Sequence, residues 1–135
     1  MIRRVLALGA LAAASLVAVR RTLILTTVDG TSMEPSLRSG DRVLIRRTRR
    51  VRRGQITLLR AVPDDTLLLK RAVAVPGDHL PKDWADPDVK SLADTTVPRD
   101  TIVVLGDNRP TSWDSRHFGH VQRTQILGVL LARIP

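Results

Sequence analysis

The chain has 135 residues and a formal charge of +9, carried by 22 basic side chains of which only Lys70, Lys82 and Lys90 are lysines. Its length fits one domain with a modest core, and the lack of cysteine excludes disulfides and thiolate metal sites. The basic balance favours an anionic partner, acidic lipid or nucleic acid, but one Phe, two Trp and no Tyr offer few platforms for base stacking, so no nucleic acid is expected.

The chain opens with Arg3-Arg4, an uncharged run over 5–19, and Arg20-Arg21. As a helix this run spans only about 22 Å against a hydrocarbon core of roughly 30 Å, a short anchor whose arginines can snorkel to the interfaces. A cleaved signal peptide is the competing reading, given the basic start and Ala12-Ala13-Ala14. The retained anchor is favoured because Arg20-Arg21 stand where a cleavage region needs small, polar residues. The expected organisation is a membrane anchor over 1–21 and a β-rich domain over 22–135.

Residues 22–28 are β-branched or apolar and read as a strand leading into Asp29-Gly30-Thr31-Ser32-Met33-Glu34-Pro35-Ser36-Leu37. Gly30 tolerates dihedrals closed to other residues, while Pro35 fixes its own φ and pushes Glu34 towards extended geometry. Ser32 is thereby held on a stiff turn. An attacking hydroxyl needs such a mount, with backbone N–H groups beside it facing the developing oxyanion. Taken alone, the segment also reads as a plain turn or helix cap. Ser32 lies at most about 45 Å of extended chain beyond residue 19, so a site there works close to a bilayer.

Ser39-Gly40-Asp41 reads as a turn and 42–46 as a second strand. Arg46, Arg47, Arg49, Arg50, Arg52 and Arg53 then crowd into eight residues, either a solvated, self-repelling loop or a patch for anionic headgroups. The runs 54–62 and 66–75 are strand-like and joined by the turn Pro63-Asp64-Asp65. Lys70 sits inside the second run, among leucines. A wet strand face is the ordinary explanation, but this chain uses arginine for almost every other cation. Guanidinium cannot deprotonate in a protein, whereas a desolvated ammonium can, so Lys70 is where a general base can be made.

Residues 79–100 are polar and proline-punctuated, without a clear period, and read as a loop with irregular pieces. A strand over 101–105 runs into Gly106-Asp107-Asn108-Arg109-Pro110-Thr111-Ser112-Trp113-Asp114-Ser115-Arg116-His117-Phe118-Gly119, a polar turn following a strand that buries its start. The run 126–134 closes the fold as a strand. His79, His117 and His120 are alternative bases, but nothing in the sequence fixes any of them relative to Ser32. His117 and His120 lack the further ligands of a metal site, and no metal or cofactor is expected.

Ser32-Met33-Glu34-Pro35, Lys70-Arg71 with Val75-Pro76-Gly77-Asp78, and Gly106-Asp107-Asn108-Arg109 through Ser112, Asp114-Ser115-Arg116 and Phe118-Gly119 together resemble the signature boxes of type I signal peptidases, in the family's order. The resemblance, to the Gram-positive-like short form, covers almost everything from Val28 onwards. It implies a mainly antiparallel β catalytic domain with one N-terminal transmembrane helix, and a serine endopeptidase of the cell membrane. Its catalytic domain would be extracytoplasmic, and its partners the signal peptides of exported pre-proteins, cut after small side chains.

Carried over, the pattern makes Ser32 the nucleophile, Lys70 the general base and Ser112 the hydroxyl orienting the lysine. Asp114 and Arg116 become an ion pair supporting the site together with Asp107 and Asn108, and Met33 a substrate contact. The oxyanion hole would use the Ser32 N–H, while Gly30 occupies the position where other members carry a second, hydroxyl donor. The stretch 79–100 is short for the family's accessory insert. Two alternatives stay open: a maturation protease of the same family dedicated to one substrate, and a catalytically inactive basic module at the membrane.

Overall fold

The computed structural model describes residues 1–82, 92 and 94–135. Helix α1 (Ile2–Thr22) has 21 residues and a length of about 31 Å. It is longer than the uncharged run alone suggests because the helix runs through both arginine pairs, and arginine, alanine and leucine are all strong helix formers. None of its residues is buried, and by length and composition it is able to cross a membrane. It ends where Leu23 turns to extended backbone, φ −125° and ψ 145°, and the β-branched run begins.

Among the described residues seven strands follow: β1 (Leu23–Thr27), β2 (Arg42–Arg47), β3 (Ile56–Arg60), β4 (Leu67–Ala74), β5 (Thr101–Leu105), β6 (Val121–Gln122) and β7 (Ile126–Ile134). They form one antiparallel sheet in the order β1-β2-β7-β3-β4-β5-β6. The strands expected from the sequence are all present: β5 and β7 match to the residue, β2 runs one residue further, and β1, β3 and β4 are trimmed by one or two residues at each end. The short β6 and the one-turn helix α2 (Ser115–Phe118) were not foreseen. Both are too short to carry a periodic signal.

The register has a consequence for the site. Leu23 pairs with Arg46, Arg46 with Val129, Val129 with Thr57, and Thr57 with Lys70. Lys70 therefore shares a cross-strand row with the first residue beyond α1. Thr57, fully buried beside it, donates its hydroxyl to the Lys70 carbonyl at 2.9 Å and fixes the strand at that point.

Among the described residues three apolar clusters fill the fold. The first joins Val28, Met33 and Leu37 to Val43, Ile45, Ile56 and Leu58. Met33 and Leu37, each at most 2% exposed, thus peg the serine loop into the core. Burial of side chains of this size stabilises by roughly 1.5–3 kcal/mol each, which holds a loop that regular strand pairing does not.

The ends of the 79–100 stretch are more ordered than its composition suggests. His79 bridges Thr96, the Leu80 N–H donates to the Thr95 carbonyl at 2.8 Å, and Leu80, Leu92 and Val97 pack into the third cluster. The middle of the expected insert, 83–91 and 93, lies outside the described residues.

Candidate active site

The serine loop leaves β1 through Val28 and turns at Gly30, whose φ of +83° lies in the region that side chains disfavour. The Glu34–Pro35 peptide is cis. The loop is clamped from the other side of the fold: the Asn108 N–H donates to the Ser32 carbonyl at 2.9 Å, and Asn108 Nδ2 to the Thr31 carbonyl at 3.2 Å. The Ser32 N–H itself meets no acceptor among the described residues.

Lys70 projects from the buried face of β4 with Ala72 and Ala74 and is 3% exposed. The β4–β5 pairing reaches only Arg71↔Leu105, so Lys70 stands just where β5 gives way to the 106–114 loop. Its Nζ donates to Ser32 Oγ at 2.7 Å. Desolvation by burial lowers the Lys70 pKa from its usual value; the Asp114 carboxylate pulls it back up and Arg116 adds to the lowering.

Ser112 does not hydrogen-bond Lys70. Its hydroxyl donates to Asp114 Oδ2 at 2.7 Å, because the fully buried carboxylate is the strongest acceptor within reach. Asp114 also accepts from the Gly106 N–H at 2.9 Å, from Arg116 Nε at 2.9 Å and from the Arg116 N–H at 3.2 Å. Burial works to raise its pKa, but these donors outweigh it and the carboxyl titrates below its usual range. Asp114 also caps α2, with His117 Nδ1 accepting from its N–H at 3.2 Å.

A second charge pair braces the serine loop. Arg71 holds Asp107 with both fork nitrogens, at 2.8 and 2.6 Å, and donates to the Gly54 carbonyl at 2.7 Å. Ser36 adds its hydroxyl to the same carboxylate at 2.6 Å. The roles of Arg71, Ser36 and Gly106 escaped sequence reasoning. A Cβ on Gly106 would run into the Ser112 side chain and stand 2.6 Å from the Ser32 carbonyl oxygen, so only glycine lets these two segments meet. A glycine directly after a buried strand was the available signal.

The three histidines lie elsewhere. His79 faces Asp94 at 3.3 Å, His117 serves the α2 cap, and His120 sits with Trp113 and Phe118, its buried Nε2 without a partner among the described residues. None of them shares a hydrogen bond with Ser32 or Lys70.

Beside the Ser32–Lys70 pair runs a groove of about 250 Å³. Thr26–Asp29 line one wall and Leu67–Lys70 the other, with Met33 and Leu58 between them. β1 is the end strand of the sheet, and residues 67–70 lie beyond the β5 register, so both walls present strand edges without a partner among the described residues.

The chain is similar to known proteins over most of its length. The family model described as "Signal peptidase, peptidase S26" matches residues 1–83 and 79–134. Signal peptidase I V of Bacillus subtilis (strain 168) is 32% identical over 76% of this chain and 80% of its own length. Signal peptidase I of Bacillus caldolyticus is 31% identical over 75% and 73%. A solved signal peptidase I from Enterococcus faecalis V583 aligns with 61% of this chain and 97% of its own at a TM-score of 0.49 and 26% identity. With nearly its whole length covered by the family model, this chain belongs to the signal peptidase family, peptidase S26.

Proposed function

We propose that this protein is a membrane-anchored serine endopeptidase that removes signal peptides from exported pre-proteins, with Ser32 as nucleophile and Lys70 as general base. The observation that carries the reading is the 2.7 Å contact between Lys70 Nζ and Ser32 Oγ at the rim of a groove with two open strand edges. An extended pre-protein segment fits there as an added strand, hydrogen-bonding along both walls and setting one carbonyl over Ser32.

A neutral Lys70 amine takes the Ser32 proton as Oγ attacks that carbonyl. The oxyanion forms against the Ser32 N–H, which has no competing acceptor among the described residues. The ammonium returns its proton to the leaving amine as the scissile C–N bond breaks, which releases the mature chain. The acyl-enzyme on Ser32 is then hydrolysed by water, with Lys70 taking the proton of the attacking molecule and passing it to Ser32 Oγ as the ester breaks. Ser112, Asp114, Arg116, Asp107 and Asn108 hold the two reacting side chains in place.

The anchor is 1–21, almost all of it helix α1, and 22–135 form the peptidase domain on the extracytoplasmic face of the cell membrane. The shared row of Leu23 and Lys70 supports catalysis close to that bilayer. Arg46, Arg47, Arg49, Arg50 and Arg52 present a basic face to its anionic lipids, while Arg53 is held by Asp78 at 2.6 Å. Incubation of the purified chain with a synthetic pre-protein carrying an Ala-X-Ala junction tests the activity. Wild type should release the signal peptide and Ser32→Ala should not; equal release by both would refute the reading. Protease added to intact spheroplasts should digest the 22–135 domain, and full protection would reverse the topology.

A further inference from the structure

We propose that a cavity beside the loop that follows β2 is a binding site for the phosphate headgroup of an anionic phospholipid. The proposal rests on the reading of α1 as a membrane anchor and adds to it a defined lipid site, separate from the groove at Ser32.

The cavity measures about 350 Å³; Arg49, Arg50 and Arg123 stand on its rim, with Val51 and Ile102 among its apolar lining. Asp100 also lines it, but its charge is taken up by Arg123, whose Nη1 lies 3.3 Å from Oδ1. Arg49 and Arg50 have no carboxylate partner among the described residues. Adjacent guanidiniums repel each other, and an anion between Arg49 and Arg50 relieves that repulsion. Their loop is braced from within, the Arg50 N–H donating to Thr48 Oγ1 at 3.1 Å and the Arg52 N–H to Gln55 Oε1 at 2.8 Å. The backbone that carries the two arginines is therefore held in place.

Position selects the bilayer as the source of the anion. Arg46 pairs with Leu23, the first residue after α1, and β2 then runs on to Arg47 with no β1 partner. The 48–52 loop thus leaves the sheet at the end where the helix leaves it. Lipid packed around the C-terminal turn of α1, already flanked by Arg20 and Arg21, is the nearest phosphate. The chemistry agrees, because a rim of guanidinium over an apolar lining suits a phosphodiester carrying glycerol and acyl carbons better than a free ion.

The test is native mass spectrometry of the full chain in non-ionic detergent, titrated separately with short-chain phosphatidylglycerol, short-chain phosphatidylcholine and inorganic phosphate. Arg49→Gln/Arg50→Gln is compared with Arg38→Gln/Arg42→Gln, which removes the same charge at the opposite end of β2. Phosphatidylglycerol should bind best, and the first pair should weaken it roughly thirtyfold, the factor expected for two headgroup-facing arginines, while the second leaves it unchanged. Equal weakening by both pairs, no weakening by either, or phosphate binding as tightly as phosphatidylglycerol would overturn the site. Alkaline extraction of membranes reads the anchor separately: release of the chain defeats the anchor, while the detergent titration still decides the cavity.

Discussion

The Ser112 hydroxyl donates to Asp114 at 2.7 Å, and Asp114 is the charge that pulls the Lys70 pKa back up against burial. The Ser112 hydroxyl thus lies one carboxylate away from the lysine and does not touch it. In this arrangement Lys70 is aimed by Ser32 and by its packing, while the 106–116 loop sets its electrostatic surroundings.

Removing Asp114 should unbuild that loop. Its carboxylate is fully buried and satisfies Arg116, Ser112 and the Gly106 N–H at once. Asp114→Ala strands those donors and should cost about 3–5 kcal/mol, with activity falling alongside. Ser112→Ala deletes one of the donors and should cost about 1 kcal/mol. Denaturant unfolding of both variants checks this, and Asp114→Ala unfolding like wild type would mean that the loop is merely solvated.

Gly106→Ala tests the close approach of strand and serine loop. The added methyl group meets the Ser112 side chain and the Ser32 carbonyl, which must shift. Overpacking of this kind costs about 1–3 kcal/mol, and a displacement of about 1 Å at the nucleophile lowers turnover on the order of a hundredfold. Turnover near wild type would show that the loop has slack.

Burial of Lys70 also has a stability signature. Its folded pKa is lowered, so between that value and the ordinary 10.5 the unfolded chain holds a proton that the folded chain has given up. Stability contributed by this group therefore rises with pH across that window. Lys70→Met fills the same space without ionising. Its melting temperature should exceed wild type most at pH values below the window, and the gap should close as pH approaches the ordinary lysine value. A gap independent of pH would mean that Lys70 is not desolvated in the folded chain.

Much of this was legible in the sequence because strand period and turn chemistry are local. The 101–105 and 126–134 strands were read to the residue, and Pro63-Asp64-Asp65 marked the β3–β4 hairpin. Ser32 and Lys70 were legible as a pair through the order of the motif boxes and the scarcity of lysine. What was not legible depends on contacts distant in sequence. Nothing near Arg71 announces that it grips Asp107, 36 residues away, or that Ser36 closes the same network. The Ser112–Asp114 bond was within local reach, but the family pattern directed attention to the lysine. α1 reaches past the uncharged run 5–19 at both ends because arginine is a good helix former and carries the helix through both charged pairs.

The central claim is that Lys70 acts on Ser32 as a neutral base. Lys70→Arg keeps the cation and most of the length but cannot release a proton, so it separates a base from a structural charge. The measurement is the rate of pre-protein cleavage by wild type and Lys70→Arg across neutral to alkaline pH. Wild-type kcat/KM should rise with pH through a single ionisation below the ordinary lysine value, and Lys70→Arg should fold yet lose nearly all turnover at every pH. Cleavage by Lys70→Arg near the wild-type rate would contradict the dyad and send the search for the base to His79, His117 and His120.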